Sequence, residues 1–153
     1  MAKTQKESLL QRLVRKSLNV EFPNQAYTLK THGDRYTAPG IPDILACVEG
    51  VFIGIECKMW RGRPSEAQAL HMRDIIKAGG IGLYCIWNKD TDEYFWIPAN
   101  YPFTYRSKGH WIPAKKITSN VKGREMEIID CSFVKASILI NKHYKPQGQI
   151  NVD

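Results

Sequence analysis

No apolar stretch in this chain approaches the roughly 20 residues that a membrane-spanning helix needs, so no part of it reads as a span. The Lys-rich start lacks the apolar core of a secretory signal, and a cytoplasmic protein is expected. Cysteine is scarce. Cys47, Cys57, Cys85 and Cys131 form no C-x-x-C pair, which argues against a zinc ribbon or a disulfide framework. Three of them fall in apolar runs and are expected buried and reduced. The four histidines, His32, His71, His110 and His143, are scattered, with neither H-E-x-x-H nor finger spacing. There is no internal repeat and no low-complexity segment. Acids are outnumbered: 15 Asp and Glu against 22 Lys and Arg give a net charge of +7 and a pI near 9.3. That balance suits a polyanionic partner, nucleic acid being the commonest. A basic surface that serves solubility alone accounts for it equally well.

What is present is enough for one domain core, with 43% hydrophobic residues in a chain of 153. Leu9, Leu10, Leu13, Val14 and Leu18 recur at helical spacing after a capping box, Thr4-Gln5-Lys6-Glu7. Arg12, Arg15 and Lys16 fall on another face of that helix, which should end near Asn19. Residues 26–30 read as a strand and 31–40 as a polar loop. Ser65-Glu66-Ala67-Gln68 is a second capping box, opening a helix that Gly79-Gly80 stops after Ala78. Residues 81–87 are a continuous apolar run, as a fully buried strand would be. A strand, a helix and a strand in so short a span imply a right-handed crossover and a parallel pair. Residues 93–97 read as a further strand, and 124–131 as another. Residues 132–144 suit a helix with Phe133, Val134, Ile138 and Leu139 inward, and suit a strand nearly as well.

The chemistry is concentrated between Pro42 and Lys58. Two apolar runs, about 43–48 and 51–58, flank a Glu49-Gly50 turn, which is a hairpin pattern. Asp43 opens the first strand. Glu56 and Lys58, two apart, share one face of the second, and Cys57 points the other way with Ile53 and Ile55. Charges beside a core are costly unless paired or bound to a metal. Two clustered carboxylates make the hard-oxygen site that Mg²⁺ prefers, and a lysine beside them can hold an attacking water or stabilise developing phosphate charge. Taken alone, Asp43 would be a turn residue and Lys58 a strand-end charge. The hairpin that brings them to Glu56 favours a metal site.

Pro42-Asp43 with Glu56-Cys57-Lys58 resembles the PD-(D/E)XK nuclease signature. Lys30-Thr31-His32-Gly33, Pro39-Gly40 before Pro42-Asp43, Gly62-Arg63-Pro64-Ser65-Glu66-Ala67-Gln68, and Ala78-Gly79-Gly80 narrow the likeness to the virus-type replication-repair nuclease (VRR-NUC) domain. It runs from about Glu7 to Trp87. The resemblance implies an α/β restriction-endonuclease-like core over residues 1–97, with a mixed sheet flanked by helices in the order αβββαβ. Residues 98–153 would be an extension packed on the core or forming an interface. It implies a Mg²⁺- or Mn²⁺-dependent DNA endonuclease of a bacterial or phage-infected cell, with Asp43 and Glu56 as metal ligands and Lys58 catalytic. The backbone carbonyl of Cys57 would be a further ligand. It also implies that Gln68 sits by the active site, that Glu7 approaches the metal and that Lys30 lies near the scissile phosphate. Capping explains Gln68 and Glu7 locally, and solvation explains Lys30.

In the loop beyond Lys58, Arg61 and Arg63 could clamp phosphates and Trp60 could stack on a base or wedge a junction; ordinary surface is the plain alternative. Lys115, Lys116, Lys122 and Arg124, with Tyr101, Phe103, Tyr105 and Trp111, suit a second nucleic-acid surface or an aromatic mini-core. Stand-alone proteins of this type resemble Holliday-junction resolvases, which would make the substrate branched DNA and the protein a homodimer. A sequence-specific restriction-type endonuclease, a basic binding module without chemistry, and RNA as substrate stay open.

Overall fold

A computed structural model describes residues 3–31, 38–100, 103–106, 110–113, 121–122 and 127–144. The chain runs α1 (Lys3–Glu21), β1 (Ala26–Lys30), β2 (Ile44–Val48), β3 (Val51–Met59), α2 (Glu66–Lys77), β4 (Ile81–Asn88), β5 (Glu93–Pro98), β6 (Phe103–Arg106), β7 (His110–Pro113), β8 (Val121–Lys122), β9 (Glu127–Ile128) and α3 (Ser132–His143). The first six elements have the expected αβββαβ order. One five-stranded sheet runs β1-β2-β3-β4-β5, with β3 and β4 parallel and the other neighbours antiparallel. The short pairs β6–β7 and β8–β9 stand apart from it.

Alternation along the strands sorts the sheet into two faces. Ile53, Ile55, Cys57, Leu83, Cys85 and Trp96 face one way, against Leu10, Val14 and Leu18 of α1 and Val134 and Ile138 of α3. Tyr84, Ile86, Phe95 and Ile97 face the other way, against Met72 of α2. The parallel pair forces the connection through α2 to cross over one face, and α1 and α3 fill the other.

Ile129, Cys131, Val134 and Ile138, well beyond Pro98, are part of this core. The indole N–H of Trp96 donates to the Asp130 carbonyl at 3.0 Å, and the Ile129 N–H donates to the buried Ser17 hydroxyl at 2.8 Å. Residues 132–143 are a helix, and Val134 and Ile138 face the sheet. Leu139, expected inward, is 61% exposed, because the sheet contact is set one step round the helix. Of the strand expected over 124–131, Glu127–Ile128 is a strand and residues 129–131 are not, while 124–126 lie outside the described residues. Tyr101, Lys115, Lys116 and Arg124 lie outside the described residues, as do His32 and Gly33. Backbone alone is described at Phe103, Tyr105, Trp111 and Lys122.

Candidate metal centre and active site

Glu49 and Gly50 both have positive φ, 51° and 82°, as a two-residue type I′ turn requires. The turn fixes the register Val48↔Val51, Ala46↔Ile53, Ile44↔Ile55. One step further along that register sets Asp43 against Glu56 on the α2 face. The next step sets Pro42 against Cys57.

Pro42 carries no N–H, so the ladder cannot continue past it. Instead the Asp43 carboxylate takes the Cys57 N–H, Oδ2 accepting at 2.9 Å. In a strand the N–H and C=O of one residue point to the same side. The Cys57 carbonyl is therefore turned toward Asp43, and its ladder partner has no donor to give. Thr31 fastens this bend from the neighbouring strand. Its hydroxyl donates to the Pro42 carbonyl at 2.7 Å and its N–H to the Asp43 carbonyl at 2.9 Å. Sequence reading quoted Thr31 only within the Lys30-Thr31-His32-Gly33 likeness and gave it no role.

Glu56 is only 1% exposed, a carboxyl within a sheet face otherwise apolar. Gln68 Nε2 donates to its Oε1 at 3.1 Å, and Oε2 has no hydrogen-bond donor among the described residues. Burial first, then the hydrogen bond and negative charge of Asp43, push the Glu56 carboxyl up to about 10. The Lys58 ammonium opposes that rise and Glu7 adds slightly to it. Raised so far, the Glu56 carboxyl keeps its proton through neutral pH when no cation is bound.

Gln68 reaches Glu56 because α2 starts close to the hairpin mouth. A Cβ on Gly54 would sit 2.6 Å from the Ile75 side chain, and one on Gly40, where φ is +85°, would sit 2.4 Å from the Ala67 backbone. Gly40 lets the start of α2 come close to the approach to Asp43, and Gly54 lets the last turn of α2 press against the sheet. The Ser65 capping box is present with both of its bonds, so Gln68 caps the helix and touches the site at once.

Tyr84 also belongs here. It lies in register with Glu56 on β4 and is buried; burial and then the Glu56 charge raise its phenol to about 12, so it stays an O–H group at any ordinary pH. A uniformly apolar run gave no sign of it. On the opposite face burial pushes the Cys57 and Cys85 thiols well up, which keeps them protonated and inert.

The other sequence candidates are less gathered. Glu7 acts on Glu56 through space. Among the described residues no three His, Cys, Asp or Glu side chains are grouped so as to hold a metal ion by themselves. The capping explanation of Glu7 falls away, since α1 already includes Lys3 and Thr4 lies inside the first turn. Lys30 pairs in register with Ile44 and so faces α1, on the opposite side of the sheet from Asp43 and Glu56. Trp60 is partly buried, its ring centroid 5.2 Å from that of Phe95, so its ring extends the α2-side core in place of standing free for a base. Arg61 and Arg63 are exposed, as expected. Arg61 holds φ at +77° in the turn closed by the Gly62 N–H to the Met59 carbonyl.

The donor set fits a hard divalent cation. It offers two carboxylates and a backbone carbonyl, all oxygen, with one carboxylate oxygen buried and undonated. Mg²⁺ is commonly held by one or two carboxylates and keeps several waters.

No protein-family model matches the chain, and no curated protein does. Solved structures that are distantly similar include two nucleases. The Holliday junction resolvase Hjc of the archaeon Archaeoglobus fulgidus is 18% identical, over 68% of this chain and 88% of that one, with a TM-score of 0.46. The bacterial homing endonuclease I-Ssp6803I is 16% identical, over 98% of this chain and 99% of that one, with a TM-score of 0.45.

Proposed function

We propose that the protein is a Mg²⁺- or Mn²⁺-dependent DNA endonuclease. The observation that carries this reading is Glu56. A buried carboxyl with one undonated oxygen, set against a second carboxylate and two residues from a lysine, is costly in a structural core and useful in a metal site. Asp43, Glu56 and the Cys57 carbonyl would hold the cation. When bound, it supplies Lewis acidity at the phosphate and a more acidic attacking water. Gln68 keeps Oε1 of Glu56 engaged, which leaves Oε2 turned toward Asp43. Lys58 follows Glu56 on the same face, about 7 Å further along the strand, where its ammonium orients the water and offsets charge developing on the phosphate. Tyr84, in register with Glu56, adds a protonated phenol to the same face of the sheet.

The finer part of the proposal is branched DNA as substrate and a homodimer as the working unit. It draws on the motif resemblance and on the need to cut two strands symmetrically.

Nicking of supercoiled plasmid with Mg²⁺ tests the first part. Asp43→Asn keeps an oxygen for the Cys57 N–H, so it should fold, bind DNA and cut nothing. Wild-type protein inert with both Mg²⁺ and Mn²⁺, or normal turnover by Asp43→Asn, would sink the assignment. A four-way junction cut faster than linear duplex, by a species of dimer mass in light scattering, is the expected result for the second part. Discrete fragments from linear duplex would replace it with a restriction-type reading.

A further inference from the structure

A second charged feature lies on the other face of the sheet. Ser8, Arg12, Arg15, Lys16 and Asn19 of α1, with Lys30 at the end of edge strand β1, line a cleft of about 440 Å³. Four of these are cations, the other two can donate hydrogen bonds, and no carboxylate is among them. Arg12 and Lys16 are one helical turn apart and Arg12 and Arg15 three residues apart, spacings at which like charges destabilise a helix. An anion in the cleft would relieve that repulsion.

The cleft is also partly pre-organised. Arg15 Nε donates to the Thr28 hydroxyl at 3.1 Å and Nη2 to the Thr28 carbonyl at 3.5 Å, which ties the guanidinium to β1 and leaves the rest of its fork for an acceptor. From Ser8 to Asn19 the helix extends about 16 Å. One strand of duplex DNA presents a phosphate about every 3.4 Å along the axis, so the length suits several successive phosphates. The cleft begins beside Glu7, whose charge is felt at Glu56.

From this we infer that the α1–β1 cleft is a phosphodiester track, holding the backbone of a nucleic-acid strand that flanks the one being cut and reading no bases. The inference rests on the nuclease reading for the identity of its partner.

Fluorescence anisotropy of a labelled duplex, with Ca²⁺ in place of Mg²⁺ and NaCl varied from about 50 to 200 mM, tests it. Arg12 and Lys16 are exposed, so the double variant Arg12→Ala, Lys16→Ala should melt like wild type. Its affinity should fall roughly ten-fold at about 150 mM salt, and the slope of log affinity against log salt should flatten by about two. Arg15→Lys keeps the charge but loses the fork and should weaken binding less. An unchanged slope in the double variant overturns the track, and leaves the nuclease reading standing if wild type still cuts. A flattened slope in a protein that cuts nothing supports the track and removes the nuclease reading. Displacement of the duplex by polyglutamate as readily as by unlabelled duplex would overturn nucleic acid as the occupant.

Discussion

Gln68 Nε2 donates to Glu56 Oε1 at 3.1 Å while the oxygen of the same amide accepts the Ser65 N–H at 2.8 Å. The capping bond fixes which way the amide faces, because only its oxygen can accept from Ser65. Helix α2 and the carboxylate site are therefore joined through one side chain. The two uses can be separated by substitution.

Gln68→Glu keeps an oxygen for the Ser65 N–H and loses the donor to Glu56. Its melting temperature should stay near wild type, while cleavage drops at least about ten-fold, the value of a charge-assisted hydrogen bond at the site. Gln68→Ala loses both bonds and should also cost about 1 kcal/mol of stability. Equal cleavage by wild type and Gln68→Glu in a single-turnover assay would reduce Gln68 to a cap.

The Glu56 carboxyl lies at about 10 in the folded chain against an ordinary 4.5, raised by burial first and by Asp43 second. In between, the folded protein holds a proton that the unfolded chain has released. Stability from that proton is complete below 4.5 and is lost as the pH rises from there toward 10. The melting temperature of metal-free wild type should therefore fall across that window. Glu56→Gln should show a flatter curve and be more stable than wild type by more than about 2 kcal/mol at about pH 8. Its amide can accept from Gln68 and donate toward Asp43. Mg²⁺ should restore wild-type stability most at high pH, because the cation takes the place of the proton. A metal-free wild-type curve flat with pH, measured by thermal unfolding in chelator, would remove the buried proton from Glu56.

Lys58→Arg separates chemistry from binding. A phosphate-contacting lysine is replaceable by another cation, but the planar guanidinium misplaces a water held by an ammonium and cannot give up its proton. Binding near wild type with cleavage at least about a hundred-fold slower is expected. Cleavage at the wild-type rate would make Lys58 a binding residue.

Arg61 occupies a left-handed position, φ +77°, where glycine is easier. Arg61→Gly should raise stability by up to about 1 kcal/mol and at the same time weaken DNA binding, flattening its salt dependence by about one phosphate contact. A gain in stability with unchanged binding would return the loop to ordinary surface.

The parts of this site that were legible in sequence are those held by local geometry. The Glu49-Gly50 turn sets the β2–β3 register by itself, and the register places Asp43, Glu56, Lys58 and Cys57. The Ser65–Gln68 box announces where α2 begins. Lys30 was harder, because the loop between β1 and β2 leaves their register open and a one-residue slip changes the face. Trp60 read as loop because Arg61, Gly62, Arg63 and Pro64 follow it, yet its N–H donates to the Trp87 carbonyl at 2.8 Å and carries the strand's packing one residue further. Leu139 was misplaced because the segment before α3 is anchored by Asp130 to Trp96 and by Ile129 to Ser17 of α1, long-range contacts that no local pattern encodes.

The bonds that shape the site span 14 residues, from Asp43 to Cys57, and 12, from Glu56 to Gln68, whereas the Ser17–Ile129 bond that ties the last segment to α1 spans 112. Closing the longer loop costs about 2 kcal/mol more chain entropy, at roughly 0.6 kcal/mol per doubling of length. Short separations close sooner, and the N-terminal part leaves the ribosome first. The two carboxylates therefore meet during synthesis before α3 exists to cover the far face of the sheet, and the order of folding places chemistry ahead of closure.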